Sequence, residues 1–162
     1  MIKKQSALEQ LRLLNRLLGR IAGEGAGQRA IHAEAAYRYF LNNYKEIDGV
    51  PLERAASTLV RLHLELDPNL AGRIHFDHWH APSEVDWGGP LWIRPILLKR
   101  LNRLAGIPVV LFLVSGLREA ICPEKAKWTQ ARRNEYARMR HWIESIAARH
   151  HPARTRLQII VL

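Results

Sequence analysis

Residues 107–115, IPVVLFLVS, decide the fold because they contain the longest apolar run of the chain. A segment that is apolar on both faces is typical of a central strand covered on two sides. The preceding residues predict a helix that begins near Arg94 and Pro95 and ends at Gly106. The inward-facing side chains of this helix are Leu97, Leu98, Leu101, Leu104 and Ala105. We therefore expect a buried strand that directly follows a helix.

A further helix and a further strand are predicted after this central strand. The helix begins at Pro123 and continues to about His150, and the strand covers residues 156–162. On the helix Arg132 and Glu135 are three residues apart, so we expect them to pair, unless Glu135 points into a site beside the sheet. Alternation of strand, helix and strand predicts right-handed crossovers and some parallel pairing.

Earlier in the chain, residues 58–66 and 73–79 each alternate between apolar and polar side chains. A period of two is typical of half-buried strands, and residues 67–69, DPN, favour a turn between them. These features predict a β-hairpin with a matched apolar face. Its register gives three polar pairs: Glu65 with Arg73, His63 with His75, and Arg61 with Asp77.

The N-terminal part of the chain is predicted to be a pair of helices. Residues 6–22 and about 28–47 carry apolar stripes at helical spacing, and the glycine-rich segment 23–27 separates them. One face of the first helix carries Arg12, Arg16 and Arg20. These arginines are either exposed to solvent alone or contact phosphates or an acidic partner.

Together these elements predict an α/β fold. Its small mixed β-sheet consists of the β-hairpin plus two strands in strand–helix–strand order, and it is preceded by the N-terminal helical pair. Residues 1–47 form this helical pair and residues 48–162 form the α/β core. A hydrophobic fraction of 48% supplies enough apolar surface for a core, which excludes wholesale disorder.

The composition also limits the class of protein. The chain has 25 Lys+Arg against 15 Asp+Glu, a formal net charge of +10. Its single cysteine, Cys122, excludes an intrachain disulfide and fits a reducing compartment. The longest apolar run is far shorter than the ~20 residues of a membrane helix. We therefore expect a soluble, cytoplasmic, strongly basic protein without a membrane partner.

Two segments concentrate the positive charge. Residues 94–103 contain four basic residues and no acid, and residues 123–156 contain nine basic residues against three acids. Such charge drives sequence-independent binding to nucleic-acid phosphates, although an acidic protein is an alternative partner. The candidate nucleic-acid-binding residues are Arg94, Lys99, Arg100, Arg103, Arg133 and Arg140.

The densest cluster of chemically active side chains is residues 75–80, HFDHWH, followed by Glu84 and Asp86. Imidazoles and carboxylates are the usual ligands of zinc, manganese and related ions. Two histidines that are two residues apart on a strand project from the same face and can share an ion. The structural alternative is that Asp77 pairs with Arg61 and His75 stacks on His63 across the hairpin. The candidate ligands of a divalent metal (Mg, Mn or Zn) are Asp77, His78, His80, Glu84 and Asp86.

Two short motifs in this cluster resemble motifs of known families. His78-Trp79-His80 resembles the His-hydrophobic-His motif of rolling-circle replication endonucleases, in which two histidines bind a metal and a later tyrosine attacks a DNA phosphate. The resemblance implies the role of that tyrosine for Tyr136. The same two histidines, with Ser83 and Asp86, are similar to the zinc motif of deubiquitinase-like metalloproteases.

A longer segment, residues 77–115, resembles the core of the PD-(D/E)xK nuclease superfamily, in particular its RAP and very-short-patch-repair-like members. The resemblance is carried by EVDWGGP at 84–90, a helix with LLKRL at 97–101, Gly106 and the apolar strand. It implies that Asp77, Glu84 and Asp86 bind a metal that activates water for phosphodiester cleavage. In the nuclease hypothesis a catalytic helper comes from His78, His80 or Lys99.

Two functions therefore remain open from the sequence. The first is a basic nucleic-acid-acting protein, a metal-dependent PD-(D/E)xK-like nuclease whose catalytic residues are Asp77, Glu84, Asp86 and Lys99. The second is a non-catalytic module that uses its basic face to bind nucleic acid or a protein. Whether the chain is an enzyme is not decided by these patterns.

Overall fold

The computed structural model describes residues 7–43, 52–81, 90–122 and 124–162. The chain forms two compact units, one up to Ile74 and one from His75 to the C-terminus. The expected α/β class with an N-terminal helical pair is confirmed, and the sheet has three strands that are all parallel. The predicted division between residues 47 and 48 falls outside the described residues.

The first unit is helical. Its helices are α1 (Ala7–Arg20), α2 (Ala26–Asn43), α3 (Glu53–Glu65) and α4 (Pro68–Ala71). α1 forms because leucines recur at three- and four-residue steps, and this stripe is buried at Leu11, Leu14 and Leu18. The two predicted N-terminal helices are therefore confirmed, and the predicted glycine-rich connection overlaps the turn between them.

The predicted β-hairpin is wrong, because its first strand is the helix α3. The residues buried on α3 include Leu59, Leu62 and His63, whereas Leu64 is 43% exposed. Leucines at even positions satisfy a period of two, but Leu59, Leu62 and Leu66 also satisfy a period of 3.6. Packing of α3 against α1 and α2 selects the helical alternative.

Formation of α3 also removes the polar pairs of the hairpin. Arg61 lies 3.8 Å from Glu65, one turn later in the same helix, rather than opposite Asp77. The turn residues start α4 instead. The Asp67 carboxylate accepts a hydrogen bond from the Asn69 N–H at 2.9 Å, and a proline occupies the first turn.

The second unit contains the sheet, apart from Ile74, the first residue of the first strand. Its elements are β1 (Ile74–His80), α5 (Pro90–Asn102), β2 (Val109–Ser115), α6 (Leu117–Ile121), a 3₁₀ turn (Lys125–Lys127), α7 (Gln130–Arg149) and β3 (Arg156–Val161). β2 is the central strand. It pairs in parallel with β3 over residues 109–114 and 156–161. The strands predicted near 73–79, 107–115 and 156–162 are confirmed.

Both faces of β2 are buried. On one face Phe112 packs in a core formed by the sheet, α5 and α7, which includes Leu97 and Ile143. On the other face Leu111 and Leu113 are also fully buried. This burial explains why the strand is apolar on both faces.

Two helices of this unit begin at other residues than predicted. α5 begins at Pro90, four residues earlier, and Pro95 lies inside it. α7 begins at Gln130 because the Thr129 hydroxyl caps it, accepting a hydrogen bond from the Arg132 N–H at 3.4 Å. None of the helices in the described part of the chain is long and apolar enough to cross a membrane.

Candidate functional site

Three polar side chains meet at the carboxyl edge of β1 and β2. His78 Nε2 lies 2.6 Å from Ser115 Oγ, and His80 Nδ1 lies 3.1 Å from the same oxygen. Both are hydrogen-bond distances. The prediction that the two histidines share one face of the strand is confirmed by these contacts. Since ligands of open parallel sheets bind beyond the carboxyl ends of the strands, this edge is the candidate site.

The pairing of β1 with β2 brings these residues together. The two strands are neighbours, and the Ala81 N–H, directly after β1, donates to the Ser115 carbonyl oxygen at 2.7 Å. The two strands therefore end side by side, although Ser115 follows His78 by 37 residues in the chain.

Gly116 permits the close approach of His80. Its φ of +80° lies in the left-handed region, which favours glycine. A Cβ at this position would lie 2.5 Å from Cε1 of the His80 ring. A larger residue would therefore displace that ring. The chain turns at Gly116 from β2 directly into α6.

Asp77 projects from the face of β1 opposite to that of the two histidines, because side chains alternate along a strand. On that side Arg100 Nη2 donates to the His78 carbonyl oxygen at 2.7 Å and lies 3.9 Å from Asp77 Oδ1. The Arg100 side chain is only 34% exposed. Arg100, which is one of the predicted nucleic-acid-binding residues, therefore binds the backbone of β1 on the face opposite to His78 and His80.

The predicted metal ligands are only partly brought together. Glu84 and Asp86 lie outside the described residues, and Asp77 lies on the other face of β1 from His78 and His80. Within the described ranges, no group of three or more His, Cys, Asp or Glu side chains is placed to hold a metal ion. The metal site therefore stays a prediction.

The predicted nucleic-acid-binding residues fall into two groups. Arg140 lies 3.1 Å from Glu144, whose carboxylate neutralises the charge of Arg140. On the same helix, the separately predicted ion pair of Arg132 with Glu135 is confirmed at 3.0 Å. Four other predicted residues are exposed and form no ion pair with any residue that the structure describes: Arg94, Lys99, Arg103 and Arg133.

A groove of about 530 Å³ follows one face of α7. Arg138, Trp142, Ser145 and Arg149 line it at three- and four-residue steps. The two arginines are exposed and make no ion pair with a described residue, whereas Trp142 is half-buried. Neither arginine is among the predicted site residues, although their spacing around a tryptophan on a helix is visible in the sequence.

Aromatic side chains surround Arg118 on α6. Its guanidinium carbon lies 5.8 Å from the centre of the Trp128 ring and 5.2 Å from that of Tyr136. The two rings meet edge to face at 6.1 Å. Burial raises the pKa of Tyr136 above its usual value, against the opposing effect of Arg118. Tyr136 is therefore a neutral phenol at pH 7.

Ser115 and Gly116 are site residues that the sequence prediction lacks. A Ser-Gly pair directly after a buried strand is a turn signal, and the carboxyl edge of a parallel sheet is a common place for sites. Both signals are present in the sequence. The contact with His78, however, depends on which strand lies beside β2, and the predicted hairpin leaves that neighbour undecided.

Comparison of the chain with protein-family models, with curated proteins and with solved structures finds no match. The resemblance to the PD-(D/E)xK superfamily therefore stays a prediction.

Proposed function

We propose that this protein binds nucleic acid, with the arginines of the α7 groove contacting the phosphate backbone. The observation that supports the proposal is a groove that holds two exposed arginines without ion pairs among the described residues, Arg138 and Arg149, on either side of Trp142. The second unit as a whole has 14 Lys+Arg against seven Asp+Glu. Charge of this kind attracts the phosphates of any sequence.

The dimensions of the groove suit one strand of nucleic acid. Arg138 and Arg149 are eleven residues apart, which corresponds to about 16 Å along a helix axis. One strand of a duplex presents about five phosphates over that length. Trp142, between the two arginines and half-exposed, offers a ring face or edge on which an unpaired base stacks. We therefore expect a single strand to bind more tightly than a duplex.

The test is the salt dependence of binding, measured by fluorescence anisotropy with labelled single-stranded and duplex oligonucleotides. For contacts to about four to six phosphates, the slope of log K against log salt is about −3 to −5. In R138E/R149E we expect a slope shallower by about 1.4–1.8, because two phosphate contacts are lost.

The matched control is R12E/R16E, which changes the net charge equally on two exposed arginines of α1. This variant keeps the wild-type slope if the α7 groove is the binding surface. An equal decrease of the salt slope in both variants would show that the binding surface is not the α7 groove. An affinity that does not change with salt would overturn the nucleic-acid proposal and direct attention to an acidic protein partner.

The nuclease that the PD-(D/E)xK resemblance implies is tested in the same system. DNA and RNA, single- and double-stranded, are incubated with Mg²⁺ or Mn²⁺, with and without chelator. Metal-dependent cleavage that is lost in D77N, with binding retained, supports the nuclease. Binding without cleavage supports the non-catalytic module instead.

A further inference from the structure

We propose that Ser115 is a nucleophile that takes the acyl group of a carboxylic ester, with His78 as its general base. The hydroxyl oxygen lies 2.6 Å from His78 Nε2, within the range typical of a nucleophile and its base. Both residues are partly exposed. This activity uses none of the α7 groove and does not depend on the proposed nucleic-acid binding.

The two histidines have different roles, because a serine hydroxyl carries one hydrogen and two lone pairs. Only one imidazole can accept that hydrogen, and the other can only donate an N–H to the oxygen. In the proposed site His78, at 2.6 Å, accepts the hydrogen and His80, at 3.1 Å, donates its N–H. The hydrogen bond from His80 occupies one lone pair of Oγ, directs the hydroxyl hydrogen toward His78 and leaves the other lone pair for the attack on the ester.

The backbone around Ser115 also fits this role. Ser115 ends the central strand, and the left-handed Gly116 turns the chain at once into α6. A sharp turn from strand to helix exposes a nucleophilic serine in other α/β proteins, for the geometric reason that its side chain stands at the edge of the sheet. The missing Cβ of Gly116 leaves the space that the His80 ring occupies.

The reaction is balanced and needs no further reactant besides water. Oγ of Ser115 bonds to the ester carbonyl carbon while its hydrogen passes to His78 Nε2. The bond from that carbon to the leaving oxygen breaks, and His78 delivers the proton to this oxygen, which departs as the alcohol. Water then attacks the acyl-serine and gives a proton to His78, which returns it to Oγ as the carboxylic acid is released.

The test uses p-nitrophenyl acetate as the ester. The wild-type protein is expected to release a burst of p-nitrophenolate approaching one equivalent per chain, with the acetyl group found on Ser115 by peptide mass spectrometry. In S115A the burst disappears, and in H78Q its rate falls at least about 100-fold, as expected for loss of a general base. The matched control is S57A, because Ser57 is an exposed serine whose hydroxyl donates to the Arg54 carbonyl oxygen.

Three outcomes overturn the proposal. These are acetyl groups only on lysines, histidines or the N-terminus, a burst in S115A equal to that of the wild type, and a rate in H78Q equal to that of the wild type. The site of acetylation in the wild-type protein is decisive even if a variant fails to fold. Because R138E/R149E leaves this site intact, that variant is expected to acetylate Ser115 at the wild-type rate while its nucleic-acid binding is weakened.

Discussion

The two units use histidine in opposite ways. In the first unit His63 is 3% exposed, and its ring is held by a hydrogen bond to Asn15 within a helical core. In the second unit His78 and His80 stand at the open edge of a sheet, around the hydroxyl of Ser115. The difference shows that the surroundings, and not the residue type, decide whether an imidazole is enclosed in a core or stays at least partly exposed beside a hydroxyl group.

The network around His63 fixes the protonation of its ring. Asn15 Nδ2 donates to the Ile74 carbonyl oxygen at 3.0 Å, so Asn15 Oδ1 faces His63 Nε2 at 2.9 Å and accepts its hydrogen. The other ring nitrogen is buried and has no hydrogen-bond partner among the described residues. Burial, and the nearby Arg29 that donates to the His63 carbonyl oxygen, lower the pKa of His63 to about 4.

The largest effect on this network is expected from Asn15→Ala. The substitution leaves the His63 Nε2–H and the Ile74 carbonyl oxygen without a partner, and each buried unsatisfied group costs about 1–3 kcal/mol. We expect the free energy of unfolding to fall by about 2–4 kcal/mol, measured by urea denaturation. The control is N43A, which removes an exposed asparagine that donates to the Tyr39 carbonyl oxygen and costs about 0.5 kcal/mol or less. An equal decrease in the free energy of unfolding of the two variants would show that the buried hydrogen bonds of Asn15 contribute no more to stability than the exposed one of Asn43.

A smaller effect is expected from lowering the pH. Because the pKa of His63 is about 4 in the folded protein and ~6.5 in the unfolded chain, the unfolded chain binds more protons between these values. His63 therefore contributes its full stability above pH 6.5, and that contribution is lost as the pH falls to 4. We expect a loss of about 2–3 kcal/mol from this group.

The variant H63Q isolates this contribution. A glutamine amide can still donate to Asn15 but does not titrate, so the fall in stability between pH 6.5 and 4 becomes smaller by that amount. The control H75Q replaces an exposed histidine in the same way, so it shows whether loss of any histidine gives the same result. Parallel stability curves for wild type and H63Q would contradict the assignment to His63.

The sequence predicts most of the second unit because its signals have only one interpretation. The nine residues from Ile107 to Ser115 are apolar up to the last and shorter than a typical buried helix, which favours a central strand. β2 is buried throughout except at Ser115. Residues 58–66 fit two periods equally well. The choice between strand and helix there depends on the faces of α1 and α2, which no local pattern contains.

The candidate site is predicted only in part for a related reason. The spacing of His78 and His80 is local, so their common face follows from the pleat of the strand. Their contact with Ser115 joins segments 37 residues apart and depends on strand order. In the predicted hairpin, residues 58–66 take the neighbouring position along β1, and Ser115 receives no role.

The smallest effect on stability, and the sharpest test of the open site, is expected from Gly116→Ala compared with Gly106→Ala. Both glycines have a left-handed backbone, with φ of +80° and +85°, so each substitution costs about 1–2 kcal/mol of folding stability. A Cβ at Gly106 meets nothing within 4 Å, whereas one at Gly116 lies 2.5 Å from the His80 ring. G116A alone should therefore slow acetylation of Ser115 by p-nitrophenyl acetate, because it displaces the ring that donates to Oγ. Equal acetylation rates in the two variants, at equal stability, would mean that His80 takes no part in the reaction and that His78 alone activates Ser115.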